Sequence, residues 1–177
     1  FGENMIQEAI NKMSAFNNFD NVEWHMIGHL QKNKVKFCPG NFLWIHSVDS
    51  IELAKKLEEQ CALKKQKLNI LIQVNLSKEK SKFGVHHLDE LFQIAETIQE
   101  GHWTKLRGLM TIPEPELGEV TTCKIFEKLR MWKEQVQKEF GSPDINELSM
   151  GMSADFKWAI QEGATMIRLG TAIFGQR

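Results

Sequence analysis

The chain has 177 residues, enough for one domain with a sizeable core. Its 22 Lys+Arg stand against 23 Asp+Glu, a formal net charge of −1, which leaves no electrostatic footprint for nucleic acid or an anionic membrane surface. Cys38, Cys61 and Cys123 are odd in number, far apart and without CxxC spacing, which argues against a disulfide framework and a thiolate metal site and predicts a reducing, cytoplasmic compartment. No apolar run approaches the roughly 18 residues of a membrane helix, and the N-terminus lacks a signal-peptide pattern. The chain opens on Phe1-Gly2-Glu3-Asn4, which reads as the end of a strand, so a missing upstream segment is expected.

In chain order, strand-like and helical patterns alternate. Ile6, Ile10 and Met13 mark a helix face, and Val22 to Ile27 (VEWHMI) is strand-like before Gly28-His29. A short helix or loop follows over Asn33 to Gly40. Leu43 to Val48 (LWIHSV) predicts another strand, after which Asp49 or Ser50 caps a helix burying Leu53, Ala54, Leu57 and Cys61. Leu68 to Val74 predicts a strand, Asn75 to Gly84 a lysine-rich loop, and Leu88, Leu91, Phe92, Ala95 and Ile98 a helix face. Leu106 to Thr111 predicts a strand ending before Pro113 and Pro115, and a long helix runs through Cys123, Phe126, Leu129 and Val136. The last strands, Glu147 to Gly151 and Met166 to Leu169, bracket a helix from Asp155, with Ser153 as its expected N-cap and Gly163 as its stop.

Such alternation makes a parallel sheet, and about eight such strands close into a barrel. The strand end at FGEN brings the count to seven, which leaves one gap. An open doubly wound sheet is the rival, but its Gly-rich GxGxxG turn is nowhere in the chain. The barrel also accounts for FGEN, HMIGH, HSVD, QVN, GLMT, SMGMS and RLGT, which place small or polar residues where barrel proteins build their sites. Among these, Ser149, Met150, Gly151, Gly170 and Thr171 offer the turn backbone and hydroxyl that a phosphate requires. Spacing alone leaves Arg168 free to point inward or outward, and plain strand ends with a surface arginine remain the competing reading.

FGEN with Gln7-Glu8, WHMIGHLQKNK (Trp24 to Lys34), HSVDS (His46 to Ser50), IQVNLSKEKSKFGV (Ile72 to Val85), GLMTIP (Gly108 to Pro113), LSMGMSADF and IRLGTAIFG together resemble the pyridoxal-phosphate homeostasis proteins, the YggS or PROSC family. The resemblance covers essentially the whole chain. It implies an α/β fold, a modified TIM-type barrel as in the alanine racemase N-terminal domain, with residues 1–177 forming one domain. It implies binding of pyridoxal 5′-phosphate (PLP) without turnover, in a cytoplasmic monomer that serves cofactor supply and passes PLP to acceptor enzymes. Ser149, Met150, Gly170 and Thr171 would hold the phosphate, and Arg168 would lie near the pyridine ring. Asn4, His25, Ser47 and Met110 would line the pocket. The family's Schiff-base lysine belongs to the first barrel strand, upstream of FGEN, and has no counterpart here. Lys32, Lys34, Lys78, Lys80 and Lys82 sit in solvated loops, so noncovalent, weakened binding is expected. Without that strand, the chain is also expected to be less stable, or more self-associating, than one with it restored.

Two other readings come from different classes. A PLP-dependent racemase would use a tyrosine as second acid/base group, and the chain has no tyrosine. A barrel enzyme acting on a phosphorylated metabolite would draw on Glu3, Asp49 and Glu114, which no spacing pairs. His25 and His29 share the i, i+4 spacing of HExxH metal sites, but no Glu follows the first His, so no metal is expected.

Overall fold

A computed structural model describes residues 1–15, 21–77 and 83–176. All seven strands are parallel and pair in chain order: β1 (Gly2–Glu3), β2 (His25–Met26), β3 (Trp44–Val48), β4 (Leu68–Gln73), β5 (Thr104–Met110), β6 (Glu147–Met152) and β7 (Met166–Arg168). The sheet curls into a nearly closed barrel whose end strands are β1 and β7. The intervening helices are α1 (Ile6–Ala15), a 3-10 turn (Lys32–Phe37), α2 (Ile51–Lys64), α3 (Leu88–Gln99), α4 (Glu119–Phe140) and α5 (Phe156–Gln161), with α6 (Thr171–Phe174) after β7. This is the α/β barrel that the alternating pattern predicts.

The local devices follow from residue chemistry. Ser50 starts α2, its hydroxyl accepting from Leu53 N–H at 3.3 Å, and the helix buries the predicted face of Leu53, Ala54, Leu57 and Cys61. Gly163 takes φ +93°, a left-handed value that suits glycine, just beyond α5. The predicted strand over VEWHMI shrinks to His25–Met26, the two residues that pair with Gly2 and Glu3 of β1 on one side and with Trp44 and Ile45 of β3 on the other. Ser153 does not cap α5. Asp155 holds the cap position, its carboxylate accepting from Met152 N–H at 2.6 Å, so the helix begins three residues after Ser153.

Strand pleating divides the core. Ile70, Ile72, Leu109, Leu148 and Met150 join one apolar cluster with the inward faces of the helices, for instance Phe126, Leu129 and Val136 of α4. Buried Leu71 and Met110 stand apart from that cluster, as the alternating side-chain direction along β4 and β5 requires.

One side chain on α2 ties that helix to the start of β5, two strands further along the chain. The Glu58 carboxylate on α2 accepts from the N–H groups of His102 (2.8 Å), Trp103 (3.0 Å) and Thr104 (2.8 Å) and from Thr104 Oγ1 (2.7 Å). Burial opposes its ionisation, but these donors outweigh burial and hold its pKa below the ordinary value. Glu58→Ala should cost about 2 kcal/mol at neutral pH, the scale of hydrogen bonds to a charged group. A depressed carboxylate stabilises above its unfolded pKa and ceases to as pH falls through its folded one, so the deficit should shrink in acid. Urea unfolding of both chains at pH 7 and below pH 4.5 tests this; an unchanged deficit would contradict it.

Candidate functional site

The register places a set of side chains on the barrel's inner face. Gly2, His25, Trp44 and Asn69 are successive ladder partners, and His46 follows Trp44 at the two-residue period of a strand. From the other side, Met110, Ser149 and Met166 are successive partners, and Arg168 follows Met166 at the same period. His25 stacks on Trp44, with centroids 5.6 Å apart and planes 9° from parallel. His25 Nδ1 lies 2.9 Å from His46 Nε2, and His46 Nδ1 lies 2.9 Å from Ser149 Oγ. Arg168 Nη1 donates to Ser149 Oγ at 2.6 Å, and its Nη2 donates to the Thr111 carbonyl at 2.8 Å. A continuous polar string thus crosses the interior from β2 to β7.

Burial sets the charge of each member. It pushes the His46 pKa down to about 3, with help from His25 and the Arg168 charge. His25 is lowered by burial and by the N-terminal charge, which together outweigh the pull of Glu23. Arg168 retains some solvent contact, yet desolvation of its guanidinium brings its pKa down to about 10, against the opposing pull of Asp155. At neutral pH the string therefore carries one positive charge, on Arg168, and both imidazoles are neutral.

The predicted residues divide into those facing this interior and those outside it. His25, Met110, Ser149 and Arg168 share the inner face. Met150 points its side chain into the apolar cluster on the opposite face, leaving its backbone as its only access to a ligand. Ser47 Oγ donates to the Gly28 carbonyl at 2.6 Å and so fixes the end of β2. Asn4 lies at the rim, its backbone so close to Gly28 that a Cβ there would stand 2.3 Å from Asn4 O, which explains a glycine at that position. Gly170 and Thr171 form the turn into α6, where the N–H groups of Gly170 (3.3 Å) and Ala172 (3.2 Å) both meet Ser153 Oγ.

His46 is the residue that sequence reasoning missed. Within LWIHSV it looks like one polar interruption in a buried strand; the available signal was its phase, two residues after Trp44 on the face that also receives His25. The acids Glu3, Asp49 and Glu114 do not converge: Glu3 pairs with Lys12 at 2.8 Å, while Asp49 lines a separate cavity of about 390 Å³ with His29 and Lys32. His29 stacks on Phe83 at 3.6 Å, and among the described residues no three His, Cys, Asp or Glu side chains gather as a metal site would require. Lys32 is ion-paired with Glu52, and Lys78, Lys80 and Lys82 lie outside the described residues. No described helix is long and apolar enough to cross a membrane.

Residues 1–177 match the family model for the alanine racemase N-terminal domain. A pyridoxal phosphate homeostasis protein of Vibrio alginolyticus is 42% identical over 180 residues, covering 100% of this chain and 76% of that protein. Its counterpart in Escherichia coli K12 is 40% identical over 179 residues, with 100% and 75% covered. PipY of Synechococcus elongatus PCC7942, solved with PLP bound, superposes with a TM-score of 0.92 at 35% identity over 99% of this chain and 81% of that one. Alanine racemase of Clostridium difficile shares the fold, with a TM-score of 0.76 at 15% identity over 99% of this chain and 44% of that one. The chain belongs to the pyridoxal phosphate homeostasis proteins, within the alanine racemase N-terminal domain family.

The histidine string has a thermodynamic signature. Unfolded, His46 titrates near 6.5; folded, it resists protonation until about 3. Between these values the unfolded chain binds the extra proton, so stability should fall as pH drops through that window. His46→Asn should flatten the dependence of unfolding free energy on pH there by up to about one proton. Chemical denaturation from pH 6.5 to pH 4 decides this, and parallel slopes in the two chains would exclude it.

Proposed function

We propose that this chain is a non-catalytic PLP-binding protein of cytoplasmic cofactor homeostasis, working through one barrel domain over residues 1–177 as a monomer and delivering PLP to acceptor enzymes. Relatives at 42% and 40% identity are named pyridoxal phosphate homeostasis protein, and PipY, which shares this fold at 35% identity, has been solved with PLP bound. The observation that carries the reading is the setting of Arg168. Two of its N–H groups are used on neutral acceptors, Ser149 Oγ and Thr111 O, and no carboxylate hydrogen-bonds to it among the described residues. Such a guanidinium has further donors for an aromatic nitrogen and, being always charged at neutral pH, disfavours protonation of that nitrogen. PLP supplies an electron sink for carbanion chemistry when its ring is protonated, and an arginine at the ring weakens that sink. Binding without turnover fits such a setting.

The residues suit the group at its phosphate end as well. The N–H groups of Gly170 and Ala172 converge on one oxygen, that of Ser153, as they would on a phosphate oxygen. Gly170 and Thr171, with the backbone of Ser149 and Met150, are assigned to the phosphate; Arg168, His25 and Met110 to the ring face. Asn4 and Ser47 shape the rim, Ser47 through Gly28.

Titration with PLP and with pyridoxal, followed by fluorescence of the five tryptophans, tests the reading. PLP should saturate and bind at least about tenfold more tightly than pyridoxal, the worth of one or two charge-assisted hydrogen bonds. Borohydride reduction followed by mass spectrometry should leave no covalent adduct. Absence of saturable PLP binding would overturn the function; equal affinity for pyridoxal would overturn the phosphate assignment; a labelled lysine would redraw the site.

A further inference from the structure

We propose that the interior string is a directional hydrogen-bond relay, Arg168 to Ser149 to His46 to His25, with its far end turned toward the Glu23 carboxylate, in which His46 is the positioning residue for Arg168. The donor end fixes the direction, and the charge at the far end agrees with it. A guanidinium only donates and an ionised carboxylate only accepts. At one end, Arg168 Nη1–H occupies a lone pair of Ser149 Oγ. Ser149 is fully buried, its oxygen contacts only Arg168 and His46 among the described residues, and its own O–H therefore has His46 Nδ1 as its acceptor. Reversal would leave that hydroxyl proton buried without a partner, at a cost on the order of 1–3 kcal/mol.

Once Nδ1 of His46 accepts, its neutral ring carries the proton on Nε2, which lies 2.9 Å from His25 Nδ1. His25 must accept there and carry its own proton on Nε2. That nitrogen is the one facing Glu23, at 3.8 Å from Oε2. Reversing the chain would turn an imidazole lone pair toward a carboxylate. The donor end thus selects the Nε2 tautomer for both adjacent histidines, and the Glu23 charge favours the same one. No buried side-chain nitrogen or oxygen lacks a partner among the described residues, as a fully ordered relay requires.

The functional consequence concerns Arg168. Among the described residues no carboxylate bonds to its guanidinium to hold its plane, so its orientation depends on Ser149 Oγ and Thr111 O. Ser149 can offer a lone pair to Arg168 in a fixed direction only while its proton is held by His46. Removing the His46 acceptor frees the hydroxyl to rotate and loosens the guanidinium. That this affects ligand binding rests on the reading of the interior as the cofactor site; the relay itself does not.

The test uses the ligand-free chain labelled with 15N-histidine and 15N-arginine, with His25→Asn and His46→Asn for assignment. Long-range 1H–15N correlations at neutral pH should show both His25 and His46 neutral and protonated at Nε2. His46 protonated at Nδ1, or averaged tautomers, would overturn the direction. Rotation of the Arg168 guanidinium should be slow in wild type and in His46→Asn, whose side-chain oxygen can replace the Nδ1 acceptor, and fast in His46→Leu, which fills volume without accepting. Equal rotation in Asn and Leu variants would overturn the positioning role, and wild-type rotation as fast as that of free arginine would do so without any variant. With PLP, the Leu variant should bind about tenfold more weakly and the Asn variant near wild type. If wild type does not bind PLP, the cofactor reading falls while the ligand-free spectra still decide the relay.

Discussion

The arrangement of the barrel's last three strands depends on what meets the guanidinium of Arg168. A cation withdrawn from water is costly unless its donors are answered. Here the answers come from two other chain segments: Ser149 of β6, and Thr111 just beyond β5. Thr111 in turn donates its N–H to the Ser149 carbonyl at 3.1 Å and its hydroxyl to the Val74 carbonyl at 2.8 Å. One side chain on a three-residue strand therefore gauges the register of β5, β6 and β7, and through Val74 it reaches the end of β4.

That gauge works only because strand pleating keeps two populations of side chains apart. Leu148 and Met150 go to the apolar cluster under the helices, and Ser149 between them faces the interior. A slip of one residue along β6 would bury the serine among hydrocarbon and turn two large apolar side chains toward Arg168. The hydrophobic driving force thus selects the polar constellation indirectly: by claiming its neighbours, it leaves Ser149 nowhere else to point. The same holds on β7, where half-exposed Ile167 takes the phase opposite to Met166 and Arg168.

Much of the fold was legible because it is written in periodicity. The α2 face of Leu53, Ala54, Leu57 and Cys61, its Ser50 cap and the strand from Leu68 are local readings, and the structure reproduces them. Legibility fails where the deciding partner is distant in sequence. VEWHMI looks like a six-residue strand on composition, but strand length is set by pairing, and only His25 and Met26 find ladder partners on β1 and β3. Ser153 has the chemistry of an N-cap, yet its hydroxyl meets the N–H groups of Gly170 and Ala172, 17 and 19 residues away. His46 escaped notice for the same reason: its partners are 21 residues upstream and 103 downstream, and only closure of the barrel brings them together. The family motifs carried Ser149 and Arg168 into the reading, but could not say that the serine hydroxyl turns toward the arginine.

That Arg168 is held by the neutral acceptors Ser149 Oγ and Thr111 O, with no carboxylate bonded to it among the described residues, is the feature that connects stability with function. An aspartate or glutamate in place of Ser149 would neutralise the guanidinium and satisfy two donors at once, the geometry in which arginine binds most strongly. It would also leave the cation's field spent before any ligand arrived. Neutral acceptors hold the plane of the group without cancelling its charge, and two neutral imidazoles extend that support without adding an anion. Histidine suits this role because one ring nitrogen accepts while the other donates, so a string can pass through it. The same choice exposes the fold to acid, since a proton on either ring turns an acceptor into a donor and sets like charge near Arg168. The interior therefore loses stability in acid that an apolar filling would keep.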